Sequence, residues 1–209
     1  MEERLGPKER REREREEIRT RILDAARELF ASEGVESVTM RRIADRIEYS
    51  PTAIYFHFRD KEALLAELCD CDFRAFAQEF FVIARLADPV ERLRAAGQAY
   101  VSFGLNNPSH YRLMFMTPKT AESTLTKGNP EEDAYAFLKA IVAELMEQGR
   151  FRETLTDVDL IAQVIWSAIH GLVSLEIAKC KDQWVEWRPV EQRAKATIDL
   201  IVNGLLKEA

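Results

Sequence analysis

Twenty consecutive residues, Thr39 to Phe58 (TMRRIADRIEYSPTAIYFHF), constrain this chain more than any others. Met40, Ile43, Ala44 and Ile47 recur at helical spacing and give a short helix one apolar side. Thr39 stands where its hydroxyl can accept from an early backbone N–H of that helix. Glu48-Tyr49 breaks the pattern. Ser50-Pro51 restarts it, with Ser50 as N-cap and Pro51 at the first helical position, where its missing N–H costs nothing. Ile54, Phe56 and Phe58 are expected behind this second helix. Ser50, Thr52, Ala53, Tyr55 and His57 are then left exposed or at its rim. Small and hydroxylated residues at the start of a short helix can enter a major groove and approach base edges. An ordinary two-helix corner of an all-helical core fits the same spacing, and spacing alone does not separate the two.

The flanks extend the pattern. Ile18 to Glu33 reads as an amphipathic helix with Ile22, Leu23, Ala26, Leu29 and Phe30 on its apolar stripe, stopped by Gly34. Asp60 is placed to cap a long helix running to about Ala87. The segment TMRRIADRIEYSPTAIYFHFRDKEALL resembles the DNA-binding signature of the TetR (tetracycline-repressor-like) family of bacterial regulators. It matches at Thr39, Ile43, Ala44, Ser50, Ile54, Tyr55, His57, Phe58, Lys61, Glu62 and Leu64. ILDAARELFASEGVESVTM resembles the first helix of the same family. Two positions where the family often has glycine carry Glu48 and Thr52 here. The turn is therefore expected to be built differently in detail, and base preference does not carry over. The resemblance implies that Thr39, Arg41, Arg42, Tyr55, His57 and Lys61 hold phosphates of double-stranded operator DNA, while Ser50, Thr52 and Ala53 face bases. A lysine in the first turn of a helix is unfavourable beside the local dipole. A phosphate held there by Lys61 and backbone N–H groups would explain it.

Charge agrees with a specific rather than a coating DNA binder. The net charge is −6, yet between Arg4 and Arg21 eight basic residues face five acidic ones, and most of the acidic excess follows Lys61. Residues 1–16 read as a charged arm, 17–60 as the helix-turn-helix domain and 61–209 as a helical effector-binding and dimerisation domain. The arm reads either as a solvated extension of the next helix or as a basic segment reaching DNA. With 46% hydrophobic residues the chain can bury a sizeable core. No run of eighteen apolar residues exists and the start of the chain is charged, so neither a membrane span nor a secretory signal is expected. Cys69, Cys71 and Cys180 are unpatterned and fit reduced thiols of a cytoplasmic protein.

Beyond Ala87 three Asx-Pro pairs (Asp88-Pro89, Asn107-Pro108, Asn129-Pro130) predict helix starts, giving helices near Pro89–Leu105, Pro108–Met116 and Pro130–Gln148, with Glu91 and Glu132 as capping-box acids. TPKTAESTLTKG between the last two reads as a mobile loop. Thr156 with Asp159 predicts a start for a helix to about Cys180, and the last helix runs from about Val190 to Leu206. Nothing alternates long enough for a strand. The fold is predicted all-α, an N-terminal three-helix helix-turn-helix domain plus a larger helical ligand-binding and dimerisation domain.

Trp166 and His170 lie one turn apart on one helix, with Gly171 expected to admit a neighbouring helix. WSAIHGLVSLEI resembles a Trp-His-Gly motif in the effector domain of one TetR subgroup. With Tyr100, Phe103, Tyr111, Met114 and Phe115 these residues are the candidate pocket for an unknown small, mostly apolar effector. Core packing is the competing reading for each one singly. The last two long helices carry more apolar residues than one core stripe needs, and pairing them across two chains gives a four-helix bundle and a homodimer. No nucleophile elbow, phosphate loop, paired metal-ligand helix or CxxC occurs, so catalysis, a cofactor and a metal site are not expected. A helical protein–protein adaptor remains the alternative, favoured by Glu48 and the acidic total.

Overall fold

Caps and prolines set where the helices of the computed structural model begin. The structure describes residues 6–117, 126–130 and 133–207. Among these it contains ten helices: α1 (Pro7–Glu33), α2 (Met40–Arg46), α3 (Pro51–Tyr55), α4 (Lys61–Gln78), α5 (Phe80–Ile83), α6 (Pro89–Asn106), α7 (Pro108–Met116), α8 (Ala134–Glu147), α9 (Val158–Lys179) and α10 (Val190–Leu205). The one extended pairing among the described residues is an isolated bridge between Phe151 and Leu206. The three cysteines are free thiols.

Several boundaries differ from those expected. The arm is helical from Pro7, continuous with α1, and its residues 1–5 lie outside the described ones. The helix capped by Asp60, whose Oδ1 accepts from Ala63 N at 2.7 Å, ends at Gln78 rather than Ala87. The Glu79 N–H bonds Phe76 O at 3.2 Å, three residues back instead of four, which tightens the chain out of α register. After this turn Phe80 is buried and Phe81 is exposed. α8 starts four residues after Pro130, because Asp133 accepts from Tyr135 N at 2.9 Å and Ala136 N at 3.2 Å and caps it. Glu132 and most of the expected loop, 118–125, lie outside the described residues. α9 is capped by Asp157, which accepts from Leu160 N at 3.0 Å, not by Thr156. α9 is also long and apolar enough to cross a membrane by length and composition. Its buried stripe, including Ile161, Ile165, Ile169 and Val173, is used within the fold.

The chain divides into two units, Met1–Cys71 with Arg112–Thr124 and Asp72–Tyr111 with Leu125–Ala209. In the first, Ile22, Ala26, Leu29 and Phe30 of α1 join Ile43 and Ala44 of α2, Ile54 of α3 and Leu64 and Leu68 of α4 in one buried cluster. That cluster sets the angle at which α3 is presented. In the second, α9 packs against α6, α8 and α10, and α6 also packs against α8 and α10. The close approach predicted at Gly171 is absent, since a Cβ there would meet nothing within 4 Å. It occurs on α6 instead, where a Cβ on Gly104 would lie 2.5 Å from Val173 Cγ1 and 3.0 Å from Tyr111 Cδ2.

Candidate DNA interface and effector site

The helix-turn-helix is built as its caps dictate. Thr39 Oγ1 accepts from Arg42 N at 3.1 Å and Ser50 Oγ from Ala53 N at 3.3 Å. Between α2 and α3 the Tyr49 N–H reaches Ala44 O at 3.0 Å and the Glu48 N–H reaches Asp45 O at 3.3 Å. This is the Schellman end of a helix, which needs a left-handed residue after the cap. Glu48 supplies it at φ 61°. The turn therefore keeps the backbone a glycine would give, contrary to the expectation of a different build, and Glu48 bears the steric cost of a Cβ in that region.

α3 buries Ile54 and, just beyond its end, Phe58. Ser50 and Thr52 are exposed, and Ala53 is half-buried. Tyr55 is 54% and Phe56 82% exposed. Phe56 is a correction: it points outward, because the five-residue helix ends before the residue and helical spacing no longer governs it. Phe56 thus joins the exposed face beside Tyr55, a residue the sequence reading assigned to the interior.

Among the candidate phosphate ligands the surroundings differ. Arg41 is exposed. Arg42 donates to Glu33 Oε1 at 3.0 Å, and this pairing raises its pKa. Lys61 Nζ donates to Val35 O at 3.0 Å, so the lysine in the first turn of α4 also closes the link between α1 and α2. His57 is half-buried, and its Nδ1 has no hydrogen-bond partner among the described residues. Burial first, then the nearby Arg15 and Arg19, pushes the His57 pKa down. The imidazole is neutral near pH 7 and keeps a ring N–H to donate.

Arg19 holds this end of α3 in place. Its Nη1 donates to His57 O at 3.0 Å, its Nε to Glu67 Oε1 at 2.7 Å, and Nη2 also pairs with Glu67. Its guanidinium lies over the Phe58 ring, 4.4 Å from the centroid. One side chain ties α1 to the end of α3 and to α4. In the sequence Arg19 stands out only as one of the basic residues between Arg4 and Arg21, since its partners lie 38 and 48 residues away.

In the second unit Tyr100, Tyr111, Trp166 and His170 form one hydrogen-bonded network. Trp166 Nε1 donates to Tyr100 Oη at 3.1 Å. Tyr100 Oη lies 3.1 Å from Tyr111 Oη and 3.0 Å from His170 Nδ1. Tyr111 Oη lies 2.5 Å from His170 Nδ1. One order of donors that satisfies the chain runs from Trp166 to Tyr100, from Tyr100 to Tyr111 and from Tyr111 to His170 Nδ1. It needs a neutral His170 with its proton on Nε2, and burial lowers the His170 pKa accordingly. Burial also raises both phenols. Tyr111 is fully buried, whereas Trp166 is 38% exposed, so the network is reachable at its indole end. Phe103 packs on Phe76 at 4.6 Å between centroids. Met114 and Phe115 belong to the first unit. His110, in the first turn of α7, has its Nδ1 3.1 Å from Oδ1 of the buried Asp72.

The family model "Bacterial regulatory proteins, tetR family" matches residues 22–68, and "Tetracyclin repressor-like, C-terminal domain" matches residues 93–200, more than half of the chain. The chain belongs to the TetR family. UidR of Escherichia coli K12, an HTH-type transcriptional regulator, is 40% identical over 78 residues, which are 37% of each chain. The match thus spans little more than a third of that relative's length. The class D tetracycline repressor of Escherichia coli is 28% identical over 131 residues, 63% of this chain and 55% of the repressor. Among solved structures, the TetR-family regulator PfmR of Thermus thermophilus is 26% identical, with a TM-score of 0.66 over 89% of this chain and 99% of its own. The TetR-family profile for the DNA-binding part covers α2, α3 and the Arg19-anchored start of α4.

Proposed function

We propose that this chain is a homodimeric transcriptional regulator that represses by occupying operator DNA and is released by a small, mostly apolar ligand. The observation that carries the reading is α3. Ile54 and Phe58 fix it to the core, while Thr52, Tyr55 and Phe56 stand out to solvent. A five-residue helix buries far too little to hold DNA alone, so its use requires two copies. Ser50, Thr52 and Ala53 face bases. Thr39, Arg41, Tyr55, His57 and Lys61 hold phosphates, with Phe56 packed against the sugar-phosphate edge. Arg42 takes a phosphate only by sharing or leaving Glu33.

The second copy docks on α9 and α10. Leu160, Val164, Gly171 and Leu175 recur at whole turns of α9 on a stripe distinct from its buried one, and Leu160, Val164 and Leu175 are large and exposed. Leu200 of α10 is 75% exposed, and Gly171 and Gly204 have open space beyond their Cα. Two such helix pairs form a four-helix bundle. Two-fold pairing sets two copies of α3 on successive major-groove faces of the duplex, about 34–36 Å apart or somewhat more.

The effector enters beside Trp166 and competes for the Tyr100–Tyr111–His170 network, the feature that supports placing the chain in the Trp-His-Gly subgroup. A ligand shifts the dimer between spacings only by its difference in affinity for them. Fluorescence anisotropy with a duplex that the protein selects from a random library tests the reading. Tyr55→Ala should weaken every duplex alike, and Thr52→Ala should alter sequence preference more than overall affinity. If the parent selects no duplex, the reading fails.

A further inference from the structure

The first three turns of α1 carry charges of both signs, but the helix sorts them by face. At about 100° per residue, residues seven and eleven positions apart fall nearly in line. Arg15 and Arg11 stand seven and eleven residues before the buried Ile22, and Lys8 stands eleven before Arg19. These three therefore continue the line along which α1 faces the helix-turn-helix. On the same measure Glu9, Glu12, Glu14, Glu16 and Glu17 all lie roughly 80° or more away from that line. Two of the acidic residues are engaged elsewhere: Glu9 accepts from Gly6 N at 2.7 Å and Glu17 pairs with Arg13 at 2.8 Å. Lys8 has one long contact, 3.9 Å to Glu12. Arg11 and Arg15 are exposed and form no ion pair among the described residues.

The line has a fixed starting point. Arg19 binds the His57 carbonyl and stacks on Phe58, so the edge leaves the helix-turn-helix at the C-terminal end of α3. Arg15 lies close enough to His57 to lower its pKa, and the neighbouring Glu16 acts on it more weakly in the opposite direction. From Arg19 to Lys8 the helix then rises about 16 Å.

We infer that Lys8, Arg11 and Arg15 form a second, sequence-independent contact with DNA, a rigid helical edge that holds backbone phosphates of the duplex just outside the half-site read by α3. This rests on the reading of α3 as a DNA-recognition helix. A straight row of cations one to two turns apart, backed by helix rather than by a flexible arm, fits a row of phosphates and carries no pattern of donors for base edges. The acidic residues on the other faces keep the arm from binding nucleic acid indiscriminately.

The test uses the full chain and a duplex that it selects from a random library, in two lengths: trimmed to the selected site, and with about 10 base pairs of added flank on each side. The double variant R11A/R15A should bind the flanked duplex about tenfold more weakly, and the slope of log affinity against log salt should be shallower by about two per bound protomer. On the trimmed duplex it should match the parent. R10A/R13A removes the same charge from the opposite face and should bind both lengths as the parent does. Circular dichroism checks that α1 stays helical in both. The inference is overturned if R11A/R15A binds the flanked duplex like the parent, or if R10A/R13A loses as much, since total charge rather than the face would then be responsible. If the parent enriches no duplex, the reading of α3 fails first and this edge with it.

Discussion

At Glu48 a side chain sits in a backbone conformation that glycine accepts without cost. Glu48→Gly is expected to stabilise the fold by about 1 kcal/mol, the penalty for an L-residue in the left-handed region. Urea denaturation reads this, and an unchanged or lowered midpoint would mean the Glu48 side chain makes a compensating contact. Gly104 behaves in the opposite way. A Cβ there would lie 2.5 Å from Val173, so Gly104→Ala should cost about 1–3 kcal/mol through overpacking and should disturb Tyr111 beside it. A variant with parental stability and unchanged tyrosine environment would contradict the close packing. Phe56 is so exposed that Phe56→Ala should leave the thermal midpoint unchanged while lowering affinity for DNA, measured by anisotropy. A loss of stability would return Phe56 to the core.

At the scale of elements, local chemistry was legible and distant partnership was not. Thr39, Ser50, Asp60 and Asp88 cap the helices predicted for them, because a cap is decided within four residues. Ile43, Ala44 and Ile54 are buried as their spacing requires. Phe56 was misplaced because a helix of five residues gives periodicity no room to act beyond its end. Asp133 and Asp157 took the caps from Asn129 and Thr156, each a nearby competitor that spacing does not rank. The roles of Arg19 and of the Tyr100–Tyr111–His170 network depend on residues up to 70 positions apart, and no local pattern reports such pairs. Arg19→Ala should loosen α3 without touching DNA itself, with a cost of about 2 kcal/mol from lost charge-assisted hydrogen bonds. Its signature is a uniform fall in affinity across sequences together with faster amide exchange at His57 and Phe58. Parental exchange rates would remove Arg19 from this role.

For the molecule as a whole, two histidines tie stability to pH. Burial lowers the pKa of both His57 and His170 below the ordinary 6.5. The unfolded chain therefore takes up these protons before the folded one does. Their contribution is present above about 6.5 and is lost as pH falls through that value towards the folded pKa values. Asp60 and Asp199 are shifted below 3.8 and act only in stronger acid. Urea midpoints should fall between about pH 7.5 and 5.5, and His57→Gln should flatten part of that fall. A midpoint that rises on acidification would contradict the neutral imidazoles.

If the chain represses as proposed, repression passes through a pair of α3 helices on one duplex. Sedimentation velocity of the full chain with a duplex it has selected measures this directly. The expected result is a dimer free in solution and an even number of chains on each duplex, dissociating together as salt is raised. A monomer that binds no duplex, or a dimer whose sedimentation is the same with and without DNA, would contradict it.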